Sequence, residues 1–156
     1  MRFSRLPRQS GATIVEMAII APVFLLIMLA LVELSLMFFT TLTMQYAVRE
    51  GARYAITGRS NLDPNTASQQ RYAAIIQNIR DNSLGMYDKM TPQISVNGTR
   101  YASTAYSSGM FGAAGDIIVL QIDCSWPVTT PLLSQFFANG KYSFAVATTM
   151  RNEAFQ

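Results

Sequence analysis

Hydrophobic and polar positions divide the chain into two unlike parts. From Met17 to Val32 no residue is charged, and past Glu33 the apolar character resumes to Phe39. Read as a helix rising 1.5 Å per residue, Met17 to Phe39 extends about 34 Å. That crosses a bilayer core of about 30 Å with modest tilt. No breaker cluster interrupts Thr40 to Ile56, and Thr57-Gly58-Arg59-Ser60-Asn61 then ends the helix, with Gly58 as its C-cap. The pattern predicts one helix of roughly 40 residues, half in the membrane and half outside.

The second part changes period. After a loop through Asp63-Pro64-Asn65, Thr66 or Ser68 is placed to cap a second helix reaching about Leu84, with Tyr72, Ile75, Ile76 and Ile79 on one side and Gly85 as its end. Gln93-Ile94-Ser95-Val96 alternates, and Asn97-Gly98 is a hairpin turn, so Thr99 to Tyr106 is expected to return as a strand. Ser107 to Gly115 is rich in Ser, Gly and Ala and reads as a loop. Asp116 to Trp126 is the clearest strand, stopped by Pro127. Thr129 to Asn139 is a connector with one helical turn around Leu132-Leu133, and Tyr142 to Met150 is the last strand. The expected class is α+β: a long N-terminal helix, transmembrane in its first half, then a short helix and a small antiparallel sheet. The expected divisions are a basic leader at 1–11, the long helix at 12–58 and an α+β head at 59–156. There is no internal repeat.

Composition and charge narrow the function. Of 156 residues, 50% are hydrophobic and only 13% charged, a shift that the apolar run largely explains. Three of the 12 basic residues, Arg2, Arg5 and Arg8, precede Gly11, which leaves nine against the 9 acidic ones. The basic balance therefore belongs to the head of the chain. No basic face interleaved with aromatics offers itself to nucleic acid. Basic residues on the N-terminal side of the apolar run put that end in the cytoplasm and the body on the far side of the inner membrane. There is no histidine, which removes His general bases, Ser-His triads and His-ligated metals. Lys89 and Lys141 are the lysines that could serve a Ser-Lys dyad, and neither has a Ser-x-x-Lys context. No enzyme, cofactor or metal site is expected, and no small-molecule substrate. The single cysteine, Cys124, sits in the clearest strand and reads as a buried thiol, with an intermolecular disulfide as the alternative.

The residues around the start of the apolar run carry the most chemistry. Ser10-Gly11-Ala12-Thr13-Ile14-Val15-Glu16 lies between the arginines and the run. A carboxylate at the mouth of a hydrophobic segment is costly in lipid and calls for a partner. Were the chain cut between Gly11 and Ala12, Glu16 would be the fifth residue, and the new α-amino group on Ala12 would lie close to it. Glu16 is then either a helix-terminal carboxylate favoured by the macrodipole or an assembly carboxylate paired with such an amine. Glu33 is a second acid in apolar surroundings. Either it meets a helix neighbour in the membrane or a filament, or the helix emerges early and Glu33 sits near the interface. Pro22 removes one backbone hydrogen bond and favours a kink that membrane helices tolerate. Glu50 and Arg53, three apart, can pair on a helix surface; with Arg49 and Gly51 they form either a solvated, closely packing stretch or a contact for a partner subunit. A cleaved secretory signal fits poorly, because the run is long and is followed by bulky Leu36-Met37-Phe38-Phe39.

Three stretches together resemble the TadE-like pseudopilins of the tight adherence (Flp) pilus system. Gly11 to Pro22 is similar to the family's G-x-x-x-V-E-x-A-x-x-x-P opening. Ala47-Val48-Arg49-Glu50-Gly51-Ala52-Arg53-Tyr54-Ala55 is similar to its A-x-R-E-G-A-R-Y-A segment. The third is the ending, with a strand start at Gly115-Asp116 and then Met150-Arg151-Asn152-Glu153. The resemblance implies a pilin-like fold and cleavage after Gly11 by a prepilin peptidase. It also implies a minor-pilin role in assembling a type IVb pilus used in adhesion, with Glu16 as the position-five carboxylate. The partners it implies are the inner membrane, the peptidase, other pilin or pseudopilin subunits and the assembly platform. The alternative is an unprocessed, signal-anchored periplasmic module that uses the Ser107 to Gly115 loop for contact.

Overall fold

The computed structural model describes residues 10–155, with side chains from Thr13 onward. The arginines Arg2, Arg5 and Arg8 of the expected leader lie outside the described residues. Helix α1 spans Ser10–Ala55 and runs continuously through Pro22. It is one helix with two environments. From Thr13 to Val32 no side chain is buried. From Glu33 on, a stripe at helical spacing is buried: Glu33, Met37, Thr40, Met44, Ala47, Val48, Ala52 and Ala55. Small residues dominate the end of this stripe, so the backbone of α1 lies close against what packs on it.

That neighbour is helix α2, Arg71–Asp81, which buries Ala74, Ile75, Ile76 and Ile79. Gly51 of α1 faces Ile79, and a Cβ at position 51 would collide with the Ile79 side chain. α1 ends as its sequence requires. Gly58 adopts φ +70°, and its space is filled by the Phe155 ring, so a side chain there would be both strained and obstructed. A short helix α3, Met86–Lys89, absent from the sequence expectation, follows the left-handed Gly85.

The sheet has four antiparallel strands in the order β2-β1-β3-β4. They are β1 Gln93–Val96, β2 Thr99–Tyr101, β3 Ile117–Pro127 and β4 Lys141–Arg151. Asn97 (φ +49°) and Gly98 (φ +79°) both take positive φ, as a two-residue type I′ hairpin demands. β3 alternates strictly, burying Ile118, Leu120, Ile122, Cys124 and Trp126. These side chains meet α1 and α2 in one core, and the other face of the sheet is outside.

Element boundaries differ from the sequence expectation at β2 and at the start of α2. β2 stops at Tyr101 rather than Tyr106, because its only partner, β1, is four residues long and pairing ends at Ile94↔Tyr101. α2 begins at Arg71, and neither Thr66 nor Ser68 caps it. The Asp63 carboxylate instead accepts the Gln70 backbone N–H, the Asn65 N–H at 2.9 Å and the Ser68 hydroxyl at 3.0 Å. The connector between β3 and β4 holds a single turn of helix α4, Pro131–Ser134, then a 3-10 turn at Ala138–Gly140.

β3 starts at the level of the C-terminus of α1 and ends near Glu33. At the first end, Asn152, one residue beyond β4, donates its N–H to the Asp116 carbonyl at 2.9 Å, and Glu153 donates to the Ile56 carbonyl at 3.0 Å. At the other, Thr129 and Thr130, separated from β3 by Val128, bond to Glu33. The lengths agree: residues 33–55 of a helix and an eleven-residue strand each extend about 35 Å.

Candidate assembly and processing surface

The described part of α1 begins at Ser10, so the peptide between Gly11 and Ala12 lies in its first turn. Glu16 stands one turn further in, exposed, on a stretch where Ile14, Val15, Met17, Ile19 and Ile20 are also exposed. Among the described residues none pairs with Glu16. Pro22 is likewise exposed. The segment makes no use of its apolar surface within the chain, as an intramembrane or intersubunit segment would not.

Glu33 is different. It is 2% exposed, and its carboxylate is fully engaged by the head of its own chain. Thr129 donates its backbone N–H to Oε1 at 3.1 Å and its hydroxyl to Oε2 at 2.7 Å. Thr130 donates its N–H to Oε2 at 3.3 Å and its hydroxyl at 3.0 Å. The two sequence readings, a neighbouring helix or an early emergence of α1, are joined by a third arrangement. The carboxylate caps the connector at the point where β3 ends, 96 residues away in sequence. The head therefore reaches back along α1 to Glu33, so the free apolar stretch ends at Val32. From Thr13 to there a helix extends about 30 Å, the thickness of a bilayer core.

Arg49 and Arg53 are exposed, and Arg53 donates to Glu50 Oε1 at 3.3 Å as an i,i+3 pair. With the Arg53 side chain 77% exposed, this pair contributes little to stability. Gly51, between them, is buried against α2. The stretch thus combines an inner face of small residues with an outer face of charge. That outer face borders a groove of about 400 Å³ between α1 and β4, lined by Arg49, Arg53, Thr149 and Arg151 among others.

Sequence reasoning missed the cluster that closes the far end of the head. Arg71, at the start of α2, is half-buried, and among the described residues it has no carboxylate partner. It donates to the carbonyls of Ala55 at 2.8 Å, Gly112 at 2.7 Å and Phe111 at 3.3 Å, and to Asn152 Oδ1 at 3.0 Å. Burial lowers its pKa from the usual guanidinium value, and its plane lies 4.5 Å from the centroid of the Phe155 ring. Asn152 donates from Nδ2 to the carbonyls of Phe111 at 2.9 Å and Ala113 at 2.8 Å. At 3% exposed, Asn152 is neither a solvated terminus nor a partner contact, whereas Arg151 and Glu153 on either side are exposed. The motif ending Arg151-Asn152-Glu153 was a signal in the sequence, but its partner Arg71 lay 81 residues away. The same bonds commit the Ser107 to Gly115 loop to the core, since Met110 and Phe111 are buried in it.

Two further groups bear on chemistry. Cys124 is 2% exposed, and burial pushes its thiol up to about 12, with the adjacent Asp123 charge adding to this. A thiol in that state is a packing group and a poor nucleophile. Among the described residues no cluster of three or more His, Cys, Asp or Glu could hold a metal.

The fold is an α+β arrangement, in which a head with a four-stranded antiparallel sheet packs on the second half of one long helix whose free apolar first half fits membrane anchoring. Over residues 11–53 the chain is similar to the family described as TadE-like protein, whose model matches that stretch. The match begins at Gly11 and takes in Glu16, Pro22, Glu33 and the Arg49 to Arg53 segment, about a quarter of the chain. The C-terminal stretch of the resemblance lies outside it. No curated protein and no solved structure matches the chain.

Proposed function

We propose that this protein is a pseudopilin, or minor pilin, that serves assembly of a Tad/Flp-type pilus and is cut by a prepilin peptidase between Gly11 and Ala12. The observation that carries the reading is the free first half of α1. Its side chains are unburied from Thr13 to Val32, Glu16 is its one charge, and it lies within the TadE-like match. An apolar helix of this kind is suited first to a bilayer and then to the core of a helical bundle of subunits. There, Glu16 meets the α-amino group freed on Ala12 of its own or a neighbouring subunit, which removes the cost of carrying a charge into apolar surroundings. The exposed Arg49 and Arg53, with the half-buried Glu50 that Arg53 pairs with, are then available to a partner subunit. The head lies on the periplasmic side before assembly, with the inner membrane, the peptidase, other pilins and the assembly platform as partners.

Glu16→Ala tests the reading. The variant inserts in the membrane and accumulates normally, while pilus formation, counted by electron microscopy and by sheared-fibre yield, falls sharply. Wild-type piliation from Glu16→Ala would remove the assembly role from this carboxylate.

A further inference from the structure

The connector between β3 and β4 has features that neither core packing nor the helix explains. Residues 128–140 carry no charge. Within them the side chains split by direction. Leu133 and Phe137 pack against the core, and Phe137 meets Tyr142 edge-on with ring centroids 6.5 Å apart. Leu132 and Phe136, one residue earlier in each case, point out, 50% and 82% exposed. Phe136 is the most exposed of the large hydrophobic side chains among the described residues. A single scattered apolar residue on a surface needs no explanation. Two on one charge-free turn, at a particular height on the molecule, do.

The height follows from Glu33. The connector is tied to that carboxylate through Thr129 and Thr130, and Glu33 is the first residue after the free apolar run of α1. Phe136 follows Thr130 by six residues, four of them in the turn of α4, so it lies within about 13 Å of Thr130. The connector is thus the part of the head beside the mouth of the apolar helix, at the end of the sheet opposite Ile56 and Glu153. Aromatic and aliphatic side chains at such a level are those that enter a lipid–water boundary.

We propose that residues 131–137 form a second membrane contact, with Phe136 and Leu132 seated in the lipid interface next to the exit of α1, so that the head rests on the bilayer at a fixed height and orientation. This rests on the membrane-anchored reading of α1. The occupant is the bilayer surface, because the connector is tied to Glu33, where the free run of α1 ends, and carries no charge that a polar partner would engage.

Tryptophan reporters separate the two claims. The full chain in a Trp126→Phe background is reconstituted in phosphatidylcholine vesicles with brominated acyl chains. The background is mild, since the Trp126 indole N–H has no acceptor. Phe24→Trp reports the span, Phe136→Trp the connector, and Ile117→Trp the far end of the head. Phe24→Trp and Phe136→Trp are expected to be quenched, with blue-shifted emission for Phe136→Trp relative to Ile117→Trp, which stays unquenched. Leu132→Trp repeats the connector measurement should Phe136→Trp misfold. Quenching of Phe24→Trp alone overturns the contact and leaves the anchor standing. No quenching at any site overturns the anchor and the contact together. A blue shift at Phe136→Trp that grows with protein density, without lipid quenching, assigns the patch to a second copy and overturns the proposal.

Discussion

At the scale of single residues, Glu16 and Glu33, the two glutamates in the apolar part of α1, divide the labour that their sequence setting left open. Glu16 lies on the free part of the helix, whereas Glu33 is consumed by four donors from Thr129 and Thr130. Glu33→Ala leaves two hydroxyls and two N–H groups, on the exposed Thr129 and the half-buried Thr130, without their acceptor. It is expected to destabilise the head by about 1–3 kcal/mol, measured by chemical denaturation of the detergent-solubilised chain. Thr129→Ala combined with Glu33→Ala should cost less than the two separate losses together, as contacting residues do. An unchanged midpoint for Glu33→Ala would return the residue to a partner helix. Asp63 offers a pH test. Its pKa is lowered by the backbone hydrogen bond from Asn65 and by those from Gln70 and Ser68, against a smaller opposing effect of burial. The stabilisation it supplies is therefore complete above the unfolded carboxylate value of about 3.9 and is lost as pH falls through the lower folded value. The Asn65 and Gln70 amides are expected to lose protection against hydrogen exchange in that acid range, and Asp63→Asn should expose them at neutral pH. None of these partnerships could be read from the chain. A carboxylate in an apolar run announces that it needs donors, but donors 96 residues away have no local signature.

At the scale of elements, the parts carried by periodicity were legible. The strict alternation of β3, the Asn97-Gly98 turn and the small-residue stretch Ala47 to Ala55 each have a local cause and appear where they were expected. The boundaries that moved depend on tertiary pairing. β2 ends where β1 runs out, and α2 starts just after Gln70, whose N–H Asp63 accepts. The contact between α1 and α2 turns on one glycine. A methyl group at position 51 meets Ile79 too closely to fit without a shift of that side chain. Gly51→Val is therefore expected to destabilise by about 1–3 kcal/mol through overpacking, despite the removal of a helix glycine. Ile79→Ala in the same chain should recover part of the loss. Recovery is visible in the denaturation midpoint; a Gly51→Val chain as stable as the parent would mean that the helices do not meet there.

At the scale of the whole molecule, one helix couples two environments. Its second half is the spine of the head, held at one end by Glu33 and at the other by the Arg71–Asn152 cluster. Its first half is left for lipid or for other subunits. The two clamps and the shared core between them make the head and the second half of α1 one body. On the proposed pilin reading, such a subunit passes from membrane to fibre only after its leader is removed, because three arginines ahead of the apolar helix cannot follow it into a packed bundle. The most direct measurement is therefore the intact mass of the chain purified from membranes, with and without the prepilin peptidase. A species beginning at Ala12 in the presence of the peptidase, and the uncut chain in its absence, is the predicted result. A chain beginning at Met1 in both would contradict the pilin reading and leave an anchored periplasmic module.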